Sequence, residues 1–127
     1  MPGDVIHFRR GSSWHGGLRI TSSGAPGNPI TYTTYGDASA PRPVFSNSGQ
    51  WSQAIVIDAS WIVLEGVLVR DAHENGVRIT ENGHHNIVRD IEATQVGIGV
   101  AVFGRHNLIT ESLFHDLTMV GRMTGAR

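Results

Sequence analysis

Gln53 to Gly125 repeats itself. Ala54-Ile55-Val56-Ile57-Asp58, Gly76-Val77-Arg78-Ile79-Thr80 and Gly99-Val100-Ala101-Val102-Phe103 align with one another at a period of roughly 22 residues. A weaker copy, Val120-Gly121-Arg122-Met123-Thr124, follows one period later. Self-similarity at this period marks a stacked repeat, in which each unit is too small to bury its own apolar face. Three short strands fit in each unit. The first copy has Ile55–Ile57, Ile62–Leu64 and Val67–Val69. The second has Val77–Ile79, Ile87–Val88 and Ile91–Ala93, and the third Val100–Val102, Leu108–Ile109 and Leu113–His115. Ile62, Val63, Val67 and Leu68 also have partial helical spacing. Their β-branching, the frequent glycines and the short runs decide for strands.

Coiling solves two problems together. Each strand pairs in parallel with its copy one turn later, and the inward side chains stack into one core. Ile55, Ile57, Val77, Ile79, Val100 and Val102 are then expected to point inward. Val56, Arg78, Ala101 and Arg122 are expected to form an outward column. The expected fold is all-β, a right-handed parallel β-helix of about four coils, each of roughly 21–25 residues. One domain spans 1–127, with irregular first coils and long loops over 1–52 and regular repeats over 53–127.

The rest of the chain fits this. Asp4-Val5-Ile6-His7-Phe8, Gly17-Leu18-Arg19-Ile20-Thr21 and Pro29 to Tyr35 read as strands, with Val44-Phe45-Ser46 a brief one. The loop SSGAPGN (22–28) and the segment 36–43 separate them. The 127 residues are 39% hydrophobic and 17% charged, which is a globular composition, and 16 glycines allow many turns. Ten arginines and no lysine leave a net charge of −1, so no basic field points to nucleic acid or an anionic membrane. With no cysteine there is neither a disulfide nor a thiolate metal site. No apolar run is long enough to span a bilayer. Met1-Pro2-Gly3-Asp4 opens directly into a strand-like segment without a signal peptide.

The opening PGDVIHFRRGSSWHGGLRI, the link SGAPGNPITYTTYG, and the stretches SWIVLEGVLV, HHNIVRDIEA and RHNLITESLFHD resemble right-handed parallel β-helix proteins of the pectate-lyase-like superfamily. The resemblance covers nearly the whole chain. It implies a secreted or cell-surface protein acting on polysaccharide by lyase or hydrolase chemistry. It also implies that this chain is a fragment, or a short relative, covering the first coils. No catalytic motif of the superfamily matches residue by residue, so catalytic roles stay unassigned.

Outward residues carry whatever chemistry there is. Arg78 and Arg122, two coils apart, could hold the carboxylates of an acidic glycan, because Arg binds carboxylate bidentately. Asp71, His73 and Glu74 cluster in one turn. In a lyase they could supply Ca²⁺ ligands and a base. An ordinary polar turn ending in Asn75-Gly76 explains them as well. Asp58 with Glu81, and Asp90 with Glu111, are stacked carboxylates of the kind a glycosidase pairs. Exposed turn positions explain them equally. His85-Asn86 and His106-Asn107 recur at equivalent places in successive copies. We expect a ladder of asparagines with surface histidines beside it, not a metal site. Trp14, Trp51 and Trp61 are either sugar platforms or covers for the edge of the core.

The alternative to an enzyme is a non-enzymatic β-helix used for binding, adhesion or spacing. A cleft holding two or more carboxylates beside an arginine would favour the enzyme. A smooth polar outer sheet would favour the spacer. In either case open strand edges at the terminal coils invite association.

Overall fold

The structure is a computed structural model that describes residues 1–49 and 52–118. Its strands are β1 (Val5–Arg9), β2 (Ser13–His15), β3 (Leu18–Ile20), β4 (Ile30–Tyr35), β5 (Val44–Ser46), β6 (Gln53–Ile57) and β7 (Ile62–Glu65). They continue with β8 (Leu68–Arg70), β9 (Asn75–Ile79), β10 (Ile87–Arg89), β11 (Glu92–Thr94), β12 (Ile98–Val102), β13 (Leu108–Thr110) and β14 (Leu113–His115).

Each strand pairs with the one three places further on. The first sheet runs β1-β4-β7-β10-β13, the second β2-β5-β8-β11-β14 and the third β3-β6-β9-β12. Every pairing between these strands is parallel. The result is a three-sided parallel β-helix of about five turns. Among the described residues no helix is long and apolar enough to cross a membrane.

The register is the one the repeats predict. Ile55 faces Val77, which faces Val100, and Ile57 faces Ile79, which faces Val102. Ile55, Ile57, Val77 and Ile79 are fully buried. The other two sheets send Leu64, Val88, Val69 and Ala93 into the same core. Burying an Ile or Val contributes roughly 1.5–3 kcal/mol relative to exposure. Val100 packs against this core, but Val102 is 43% exposed although its register is inward. It lies on β12, the last described strand of its sheet. The fourth copy, Val120 to Thr124, lies outside the described residues, and so do Arg122 and Trp51.

The corners explain how so short a coil closes. Among the described residues eight non-glycine residues have positive φ, and they fall into three stacked columns. Trp61, His85 and His106 turn the chain from the third sheet into the first. Gly66, Asp90 and Glu111 turn it into the second, and Asp71 and Gln95 into the third, with Asp116 at the equivalent place after β14. The φ values of 52–59° are left-handed, a conformation that costs an L-residue energy unless its surroundings fix it.

At the first corner asparagine does the fixing. Asn86 is buried. Its Oδ1 accepts from the Ile62 N–H at 2.9 Å, and its Nδ2 donates to the Ala59 carbonyl at 3.0 Å. Asn107 does the same one coil on, accepting from Asn86 N–H at 3.0 Å and donating to the Gly83 carbonyl at 3.1 Å. The expected ladder is therefore present, with His85 exposed and His106 stacked over it. The coils approach closely here. A Cβ on Gly104 would lie 1.8 Å from the Gly83 carbonyl oxygen, so only glycine fits.

Candidate functional site

The outer face of the third sheet carries the candidate site. Leu18 and Ile20 of β3 align with Ile55 and Ile57 of β6 and face inward, so Arg19 between them faces out. The outward column then reads Arg19, Val56, Arg78, Ala101. Arg19 and Arg78 are two coils apart, ~10 Å by the strand spacing. They flank a cleft of about 350 Å³ lined also by Gln53, Val56, Asp58, Thr80, Glu81 and Asn82. A shallower depression of about 160 Å³ shares Arg19, Gln53 and Val56 and extends the groove toward Gly16 and Asn47.

The two arginines are not equivalent. Arg19 Nη2 lies 2.9 Å from Asp58 Oδ2 and is paired. The Arg78 guanidinium stands over the Phe103 ring, with Cζ 4.6 Å from the centroid, and has no carboxylate partner among the described residues. An aromatic face holds the cation without neutralising it. Arg78 is therefore the cation of the cleft left for an incoming anion.

Asp58 is held ionised. Thr80 Oγ1 donates to its Oδ1 at 2.7 Å and Asn82 Nδ2 at 3.2 Å, while Arg19 takes the other oxygen. The Thr80 hydrogen bond lowers its pKa most, then that of Asn82; desolvation opposes them, and the Arg19 hydrogen bond and charge lower it further. A depressed folded pKa means the contribution to stability is present above the usual carboxylate value of about 3.9 and is lost as pH falls through the lower folded value. In a carboxyl-carbon NMR titration, Thr80→Val and Arg19→Ala should each raise the Asp58 midpoint. A midpoint unmoved by Thr80→Val would mean that the hydroxyl does not hold the carboxylate. Glu81 is exposed at the rim.

The cleft gathers some of the residues expected from sequence. Arg78, Asp58 and Glu81 line it together. Asp71, His73 and Glu74 are not among its lining residues. Asp71 turns a corner with positive φ and accepts from Arg70 Nε at 2.9 Å. Glu74 Oε1 accepts from Gln53 Nε2 at 2.6 Å, and His73 N–H donates to Ser52 Oγ at 3.1 Å. No three His, Asp or Glu side chains among the described residues are grouped to hold a metal ion. Ca²⁺ takes about six to eight oxygen ligands, so this turn does not fit it. Asp90 and Glu111 are exposed corner residues, as the turn reading of them expects.

Arg19 is the residue that the repeat reading misses. The signal is there: Gly17-Leu18-Arg19-Ile20-Thr21 differs from Gly76-Val77-Arg78-Ile79-Thr80 only at Leu18 against Val77. Trp14 stacks on Phe45 with centroids 4.9 Å apart and meets Phe8 edge-on, covering the core's edge. Trp61 stacks on His85 at 4.3 Å.

The three sheets define the protein's class, a parallel β-helix. Among solved structures the chain is similar to the crystal structure of alginate lyase from Paenibacillus sp. str. FPU-7, with a TM-score of 0.53 and 15% identity. The match covers 95% of this chain and 62% of the lyase, and at that identity it speaks for fold. No protein-family model matches the chain, and no curated protein matches it.

Proposed function

We propose that this β-helix belongs to a secreted or cell-surface protein that acts on an acidic polysaccharide, by lyase or hydrolase chemistry. The polysaccharide lies along the groove on the third sheet. The observation that carries this is a cleft in which two carboxylates, Asp58 and Glu81, stand beside an arginine without a carboxylate partner among the described residues. The alginate lyase of similar fold supports the same substrate class. Arg78 would neutralise a uronate carboxylate and so favour loss of the adjacent C5 proton. Glu81 at the rim is the candidate proton acceptor. Asp58, held ionised, is unsuited to act as a general acid and would orient Arg19 and Thr80 instead.

Titration with polyuronate oligosaccharides tests this, with a neutral glucan as control. Arg78→Ala should weaken uronate binding by tenfold or more, since a hydrogen bond to a charged group contributes roughly 1.5–3 kcal/mol. Added salt should weaken it too. Salt-independent binding, or none to any acidic glycan, would remove the acidic substrate. Ultraviolet absorbance of an unsaturated uronate end would report elimination, and new reducing ends without it hydrolysis. Tight binding with neither product would leave a binding or spacer module.

A further inference from the structure

A second cluster lies on the outer face of the second sheet, away from the uronate cleft. Leu113 and His115 of β14 stand in register with Glu92 and Thr94 of β11, which in turn face Leu68 and Arg70 of β8. The His115 ring lies between two carboxylates. Its Nε2 is 2.6 Å from Glu92 Oε2, one coil back, and its Nδ1 is 2.9 Å from Asp116 Oδ2, at the corner that follows β14. An ionised carboxylate only accepts, so both bonds exist together only when both ring nitrogens carry a proton. Glu92 is tied further back. Arg42, just before β5, has Nε 4.0 Å from Glu92 Oε1 and Nη2 3.0 Å from Asp90 Oδ1, and its Nη1 donates to the Asp90 carbonyl at 2.7 Å. The contacts therefore run from β5 to β14. Of the other charges nearby, Arg70 is paired with Asp71 at 2.9 Å, and Glu111, at the entry to β14, is exposed. β12 and β13 carry no titratable side chain. Between Leu113 and His115, Phe114 is in register with buried Ala93 and faces β12, where a Cβ on Gly99 would lie 3.0 Å from its ring.

We infer that His115 is a proton-operated clasp on the last described coil: as an imidazolium it ties β14 to β11 and to its own corner, and as a neutral imidazole it lets that coil open. The neutral ring has one N–H for two carboxylates. Its other nitrogen then turns a lone pair toward a carboxylate oxygen, which repels it. The direction of titration agrees. The Asp116 hydrogen bond raises the His115 pKa most, then that of Glu92; desolvation opposes them, and the two carboxylate charges raise it further. A raised folded pKa means that the clasp's contribution is fully present below the unfolded value of about 6.5 and is lost as pH rises through the folded value. Arginine stays charged throughout that range, which leaves His115 as the cation of this cluster that switches. Opening is felt where the coils meet. Leu113 N–H donates to the Ile91 carbonyl at 3.0 Å, Gln95 N–H to the Asp116 carbonyl at 3.1 Å and Thr118 N–H to the Val96 carbonyl at 2.8 Å.

Imidazole NMR titration of the whole chain, together with amide hydrogen exchange, tests this. The His115 midpoint should lie above about 6.5, and Glu92→Gln and Asp116→Asn should each lower it. Protection factors of the Leu113, Gln95 and Thr118 amides should fall as pH rises through that midpoint, about tenfold for each unit by which it exceeds the unfolded value. The Leu68 amide, which donates to the Pro43 carbonyl at 2.9 Å two coils back, should keep its protection. His115→Gln should hold the three amides at the lower level at every pH with circular dichroism unchanged, whereas His7→Gln, on the first sheet, should leave the transition intact. A His115 midpoint at or below about 6.5 would overturn the clasp. A raised midpoint with constant protection would overturn it as well, since the ring would then titrate without holding the coil. So would a His115→Gln chain as protected as the wild type at low pH.

Discussion

Val77→Asp and Ile79→Asp should each leave the chain unfolded. Both side chains are fully buried, with aliphatic neighbours in the coils before and after: Ile55 and Val100 for Val77, Ile57 and Val102 for Ile79. Among the described residues no cation lies in that column to pair with a new carboxylate. A buried, unpaired carboxylate costs many kcal/mol or protonates, and a neutral acid without a hydrogen-bond partner still costs several. A domain has only about 5–15 kcal/mol of stability to lose. Circular dichroism should show no cooperative melt for either variant. Val56→Asp, on the outward column, should keep the wild-type spectrum. A Val77→Asp protein that melts like wild type would show that the inward assignment is wrong.

Asn86→Leu should be the next most damaging change, although leucine is close to asparagine in size and the site is buried. The asparagine is there for two backbone groups, the Ile62 N–H and the Ala59 carbonyl, which it satisfies at the corner. Leucine would orphan both. At roughly 1–3 kcal/mol for each unsatisfied group, the loss is about 2–6 kcal/mol. Asn107→Leu removes the equivalent bonds one coil on, but Asn107 is only half-buried, so water can replace part of what is lost. Urea melts of the two variants should therefore rank Asn86→Leu well below Asn107→Leu, with the wild type above both. An Asn86→Leu variant as stable as wild type would mean that the ladder is incidental to the corner.

The coil is legible in the sequence where coils are short. From β6 onward the turns keep nearly one length, so Ile55, Val77 and Val100 repeat visibly. In the N-terminal turns long loops stretch the spacing. Leu18 does not meet its register partner until Ile55, nor Trp14 until Phe45. The matching pentapeptides at Arg19 and Arg78 then fall off the period, which is why the repeat alone points to Arg122 as the second arginine. The strand β2 is not visible either, since Ser13-Trp14-His15 neither alternates nor repeats. Corner chemistry is hidden for a different reason. Left-handed turns are usually sought at Gly, Asn or Asp, and here Trp61, His85, Glu111 and Gln95 make them as well.

The cleft depends on the same stacking. Arg19, Asp58, Arg78 and Thr80 come from three different strands or their ends, and only the winding of the chain puts them on one face. A slip of one residue in any pairing would send the arginines inward and the isoleucines out.

Methyl–methyl nuclear Overhauser contacts of Val77 test that winding most directly. The fold predicts cross-peaks from the Val77 methyls to both Ile55 and Val100, and from Ile79 to both Ile57 and Val102. Contacts from Val77 to Val56 and Ala101 instead, or to neither neighbouring coil, would contradict it.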